Sequence, residues 1–339
     1  MMNKLILMGL CLAGLVSCSK PTPSELGQSN KIPVIFDTDA NNELDDQHAL
    51  AYLLCSGDAF NLVGITVNAT WGGGDVVEHH REAERILSLF NLKGKIPLLK
   101  GANQNFPEIQ PQVMEDDFDG AEAVHFLLQA TAKAREKLVV IAVGKLTNVA
   151  LALKKDPSFG KKIRLVWLGS NFPEAGEYNL ENDTASLNFI LHAEIPLEMV
   201  TVRYGTKGGS DEVRVTQEEI NIKMPGRGPL AQSPVRGRHG AAFSHFGDYS
   251  VDLFKHIDYH GNPPSRALYD LVAVAMVKNP AWGKQVLLPG HHYKQGHWEK
   301  QNDQGKTLTL WENFQGDSIL NDFYRVLEVP MLVEEPSGF

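Results

Sequence analysis

Cysteine is nearly absent from this 339-residue chain. There are three, and two of them, Cys11 and Cys18, fall within the first eighteen positions. Only Cys55 remains for the body of the protein, so no disulfide can close within it. A fold of this length must then rest on its buried core. Cys55 follows the apolar run Ala49–Leu54 and reads as an inert buried thiol. Positive charge is also in deficit: 32 Lys and Arg face 41 Asp and Glu, for a formal net charge of −9. That balance, with no basic stripe, excludes nucleic acid as a partner. No fixed-period repeat is present, which excludes solenoids and propellers. The N-terminal apolar run from Leu5 to Val16 is too short to span a bilayer.

The remaining composition is that of a globular protein, 43% hydrophobic and 22% charged. Five apolar runs read as buried strands: 33–37, 62–69, 137–144, 163–169 and 196–202. Helical patterns lie between them at "DDQHALAYLLCSG", "AEAVHFLLQATAKARE" and "LTNVALALKKD". Strands alternating with helices predict an α/β fold, with a mainly parallel sheet flanked by helices. Lys223–Gly240, rich in Gly, Pro and Arg, reads as a long loop or lid. The segment "RALYDLVAVAMVKNP" reads as a helix closing the pattern. No linker interrupts residues 31–339, which are expected to form one domain.

The most unusual stretch is "IPVIFDTDANNELDDQHALAYLL". Asp37, Asp39, Glu43, Asp45 and Asp46 crowd into ten positions between a strand and a helix. Acidic residues in a first helical turn are ordinary, which accounts for Asp45 and Asp46 alone. Asp37 and Asp39 stand at the carboxyl end of a strand, where ligands bind in α/β sheets. Close carboxylates repel unless a cation neutralises them, and hard oxygen donors suit Ca²⁺ or Mg²⁺. An EF-hand loop from Asp37 would need Gly and Glu where Asn42 and His48 stand. A haloacid-dehalogenase phosphatase would follow its D-x-D with Thr or Val, where this chain has Ala40 and Asn41.

The four aspartates Asp37, Asp39, Asp45 and Asp46 resemble the D-T-D-P-G-x-D-D-A signature of the inosine–uridine nucleoside hydrolase family, with two extra residues in the Ala40–Leu44 loop. The resemblance continues in order to about Pro280. "VGKLTNVALALKKDP" is similar to that family's GPLTNIALAL segment, and "NFPEAGEYN" to its N…EFN stretch. "ALYDLVAVA" is similar to its LHDPLAVA segment. The resemblance implies a Rossmann-like nucleoside hydrolase fold and hydrolysis of the N-glycosidic bond of ribonucleosides. It implies Ca²⁺ held by Asp39, Asp46, Asp270 and the main-chain carbonyl of Val143, with Asp39 also the base that activates water. Asp45, Asn171, Glu177 and Asn179 would hold the ribose, and Asp37 would orient the cluster. Family members are commonly dimers or tetramers, so a homo-oligomer is an expectation.

Three departures qualify these roles. The Ala40–Leu44 loop is longer. Trp71 stands where many members have Asn, so that either Asn68, three residues earlier, makes that substrate contact or the contact is lost; Trp71 either stacks on a base or packs at a core edge. Tyr269 replaces the His that precedes the late Asp and is carried over as a substrate contact; a phenol is a poor acid near neutrality. His239, His245, His256 and His260, with Arg236 and Arg238, either surround a nucleobase or lie on a solvated loop. His79 and His80 read as surface positions of an amphipathic helix, and Tyr178 as core. A non-catalytic lipoprotein that binds ribosyl ligands is the alternative on the same fold, and a phosphatase the third reading.

The N-terminus, with Lys4 before its apolar run, has the layout of a secretory signal over residues 1–17. Its end, "LVSC", resembles a bacterial lipobox, which implies lipidation at Cys18. Residues 18–30 carry two Pro and read as a flexible tether. Ser19 after the Cys points, by analogy, to the outer membrane, with a lipid anchor as the only membrane association.

Overall fold

The computed structural model describes residues 31–300 and 306–336. The expected signal peptide, Cys18 and the tether lie outside the described residues. The first strand, β1 (Ile32–Thr38), leads through a loop into helix α1 (Asp45–Leu54) and strand β2 (Phe60–Val67). Helix α2 (Val76–Leu89) then leads to the short strand β3 (Leu98–Lys100). After the helix Ala121–Lys133 come β4 (Leu138–Ala142), the helix Thr147–Lys155, β5 (Ile163–Leu168) and β6 (Leu197–Val200). The five strands expected from the sequence are therefore all present.

β3, β2, β1, β4, β5 and β6 pair in parallel, in that order. Strand Thr307–Glu312 adds in parallel to β6, and Lys284–Pro289 closes that edge antiparallel to it. Each face carries its own apolar cluster, one including Val34, Phe36, Leu50 and Val274, the other Ile35, Val140, Leu151 and Trp167. The alternation along β1 follows from the period-2 geometry of a strand covered on both faces. No helix among the described residues is long and apolar enough to cross a membrane.

The sheet order places a topological switch point between β1 and β4, where the chain stops adding strands on one side and starts on the other. That crevice is where open α/β sheets bind ligands. Helix α1 is buried along its whole length. It packs beside the helix Tyr269–Lys278, which is buried from Asp270 to Val277. Lys223 ends the helix Gln217–Lys223, and residues 224–240 are irregular apart from Val235–Arg236, which pairs with Ala242–Phe243 as a small hairpin.

Candidate active site

A cavity of about 710 Å³ opens beyond the carboxyl ends of β1, β4 and β5. Its floor is acidic. Asp45 and Asp46 lie in the first turn of α1, and Asp270 in the first turn of the helix Tyr269–Lys278. Carboxylate oxygens of these three buried residues all lie within 4.8 Å of one another. The partial positive charge at two helix N-termini supports them. It does not suffice: burial, then mutual repulsion, raises Asp46 and Asp270 well above the usual carboxylate range. Asp45 rises to about 7, mainly through burial, although the backbone amides of Tyr269 and Asp270 oppose the rise. Thr38 donates its hydroxyl to Asp46.

Asp39 lies beside this trio. Burial raises its pKa, and its charge in turn raises those of Asp45, Asp46 and Asp270. Thr70 Oγ1 donates to Asp39 at 2.5 Å. Asp37 faces away from the cavity into a polar bracket formed by Thr66 at 2.5 Å, Asn148 at 2.7 Å and Asn68 at 2.8 Å. Burial carries Asp37 to about 6 despite these donors. Asp37 thus braces the end of β1 instead of lining the cavity.

The donor set fits a hard divalent cation, since carboxylate oxygens from Asp45, Asp46 and Asp270 converge and repel without one. Two further observations agree. Asn68 Oδ1 is buried without a hydrogen-bond partner. At Gly144 an added Cβ would fall 2.9 Å from Asp39 Oδ1 and 3.0 Å from Asn68 Oδ1, so only glycine leaves those oxygens room. Asp45, expected on the ribose, stands within the convergent trio itself.

The other expected contacts separate into two groups. Glu177, Asn179, Val143 and Tyr269 line the cavity. Glu177 caps its own helix by accepting from the amides of Asn179 and Leu180, both at 2.9 Å, and accepts from Ser170 at 3.0 Å. Burial raises it to about 7. Asn179 Nδ2 donates to the carbonyls of Val143 at 2.8 Å and Leu168 at 3.1 Å. Tyr269 donates to Asp211 at 2.8 Å, and burial followed by the Asp211 charge pushes its phenol upward.

Asn171 and Asn68 do not line the cavity. Asn171 spends both amide atoms on loop backbone: it donates to Ala175 at 3.1 Å and accepts from Tyr204 at 2.9 Å. Asn68 is fully buried behind Asp39.

Several side chains differ from their sequence reading. Trp71 is 66% exposed, so it is no core edge; it meets Tyr178 edge to face. Tyr178 lines the cavity, and its hydroxyl accepts from Gly72 at 2.8 Å. His79 is buried, not on the surface, because its Nδ1 accepts from Asn41 at 3.2 Å.

Asn41 also donates to the carbonyl of Gly73 at 2.6 Å, and Glu43 pairs with Arg266 across the cavity. The long Ala40–Leu44 loop is therefore pinned at Asn41 and at Glu43. Of the four late histidines, His260 lines the cavity, whereas His239 and His256 stack on each other at 3.8 Å outside it. Tyr204, Asp211 and Arg266 line it too and were missed. Their signal was faint: a Tyr before a Gly-rich loop, and an Arg three residues before Tyr269.

Comparison with known proteins places this arrangement. The chain is 27% identical over 191 residues to a pyrimidine-specific ribonucleoside hydrolase of Shewanella oneidensis, covering 49% of this chain and 58% of that one. It is 26% identical over 199 residues to a probable uridine nucleosidase of Oryza sativa, covering 51% and 57%. The chain spans about half the length of such curated relatives. Among solved structures, a plant nucleoside hydrolase superposes with a TM-score of 0.68 at 16% identity, covering 88% of this chain and 99% of that one. An inosine-uridine preferring nucleoside hydrolase from Bacillus anthracis gives 0.64 at 18%, with coverage of 88% and 99%. These two likenesses carry the fold. A family model is matched over residues 34–322, so the chain belongs to the inosine-uridine preferring nucleoside hydrolase family.

Proposed function

We propose that this protein hydrolyses the N-glycosidic bond of ribonucleosides to ribose and free base. The observation that carries the reading is the buried carboxylate trio at the switch point, with Asp39 beside it and a nucleoside-sized cavity above. Asp45, Asp46 and Asp270 would hold a divalent cation, which we take to be Ca²⁺, with Asp39 and the Val143 carbonyl adjoining. A bound cation supplies charge that neutralises the carboxylates and acidifies a coordinated water.

The chain's own groups do the rest. Asp39, held by Thr70, accepts the proton of the attacking water. Glu177 and Asn179 face the cavity with fixed orientations suited to a diol. Attack at the anomeric carbon proceeds through an oxocarbenium-like state, and the departing base needs a proton. Tyr269 is a poor donor, because its hydroxyl is committed to Asp211 and its pKa is raised. We assign that proton to His260, an imidazole on the cavity wall.

Tyr269 also sustains a second reading, a ribosyl-binding lipoprotein without turnover. Chromatographic detection of free base from a panel of purine and pyrimidine nucleosides separates the two. Base release supports the hydrolase; saturable nucleoside binding with no release supports the binding protein. Phosphate release from phosphomonoesters would instead favour a phosphatase. Localisation belongs to the same proposal: the chain is lipidated on Cys18 and held in the cell envelope. Cys18→Ser should release it from membranes in fractionation.

A further inference from the structure

A second cavity, of about 790 Å³, adjoins the acidic one, and Asn42 lines both. Its character is opposite. Arg81, Arg85, Arg236 and Arg238 line it, in a chain whose net charge is −9. Two of the four are already balanced: Arg81 pairs with Glu78 and Arg85 with Glu82. The other two are not. Among the described residues, neither Arg236 nor Arg238 has a carboxylate within ion-pair distance. Arg238 is half-buried, and its side chain donates to the Asn41 carbonyl at 3.3 Å.

A guanidinium taken partly out of water and left with one neutral acceptor is unfavourable unless an anion completes its shell. Burial lowers the Arg238 pKa accordingly. The framework around the pair is fixed. Arg85 Nε donates to the Arg236 carbonyl at 2.7 Å, tying the hairpin of residues 235–243 to helix α2. Asn41, which lines this cavity beside Asn42, is bound to Gly73. Planar forks with free N–H groups match the oxygens of phosphoryl groups in bidentate fashion.

We infer that this arginine cavity binds a phosphoryl oxyanion through Arg236 and Arg238. Because it adjoins the acidic cavity at Asn42, the oxyanion belongs either to a phosphorylated ribosyl substrate or to free phosphate. The first source rests on the hydrolase reading; the second does not.

Titration calorimetry of the full chain with inorganic phosphate and with pyrophosphate, no divalent cation added, tests the site without turnover. Arg236→Gln and Arg238→Gln should each weaken binding by about tenfold or more, the order of a lost charge-assisted hydrogen bond. Arg135→Gln, an exposed arginine elsewhere, should leave it unchanged. Should Arg238→Gln disturb the Asn41 loop, Arg236→Gln carries the test, since the exposed Arg236 side chain makes no hydrogen bond or ion pair among the described residues. No binding at millimolar anion, or binding retained in both variants, overturns the proposal.

Comparing kcat/KM for a nucleoside and its 5′-monophosphate then separates the sources. A monophosphate preference that Arg236→Gln removes identifies the substrate; equal values alongside arginine-dependent phosphate binding identify free oxyanion. Arginine-dependent binding without glycosidic cleavage of either compound would sink the hydrolase reading and leave the oxyanion site standing.

Discussion

Replacing Asp45 by Asn should stabilise the metal-free protein at alkaline pH. Its carboxyl rises from 3.8 to about 7, first through burial and then through the Asp39 charge. A carboxyl raised in the folded state contributes stability that is fully present below 3.8 and is lost as pH climbs through 7. At 1.36 kcal/mol per pH unit the interval amounts to about 4 kcal/mol. Neighbouring carboxylates share that repulsion, so the figure sets the scale of the effect. A domain of this size shifts its Tm by about 2 °C per kcal/mol. Chelator-treated Asp45→Asn should therefore melt about 5 to 8 °C above wild type at pH 8 and close to it at pH 4.5. Adding Ca²⁺ should reverse the order, because wild type gains a ligand set that the variant lacks. Differential scanning calorimetry at the two pH values reads this directly. A variant that melts below wild type at both values, without metal, would refute the electrostatic account of the cluster.

Three other outcomes follow from the same geometry. His260→Ala should lower kcat by about 10²- to 10⁴-fold with a smaller change in KM, the range for a lost general acid; steady-state kinetics giving wild-type kcat would return the proton to another group. Gly144→Ala should keep the fold by circular dichroism but cut kcat/KM by about 10²-fold, because its Cβ meets Asp39 and Asn68 oxygens at 2.9 and 3.0 Å. His48 is buried between the Leu44 carbonyl at 2.6 Å and Ser250 at 2.7 Å, and burial lowers it to about 4. Its neutral form stabilises the fold above pH 6.5, and that contribution fades as pH falls toward 4. Ring resonances that titrate near 6.5 in the folded protein would contradict this.

The strands and the acidic floor were legible because each rests on local pattern. β4 is apolar throughout, β1 is apolar as far as Phe36, and β5 is apolar apart from Arg164, as buried parallel strands tend to be. Asp45, Asp46 and Asp270 lie in the first turns of two helices, and helix starts are readable from acidic residues before apolar runs. What escaped was long-range. His79 looks like a surface position until Asn41, thirty-eight residues away, needs its ring nitrogen. Asn171 sits at the right spacing for a sugar contact, yet the loop turns its amide onto Ala175 and Tyr204. Glu43–Arg266 and Tyr269–Asp211 join segments that only the folded chain brings together. The strand Thr307–Glu312 follows β6 in space but lies more than a hundred residues later in sequence.

The central claim is that Asp39 and a divalent cation cleave a nucleoside with water. Reducing-sugar release by the chain lacking residues 1–30, with calcium or with chelator, measures it for wild type and Asp39→Ala. The account predicts calcium-dependent release from at least one ribonucleoside that disappears in Asp39→Ala. Release that persists in Asp39→Ala, or in chelator, would contradict it.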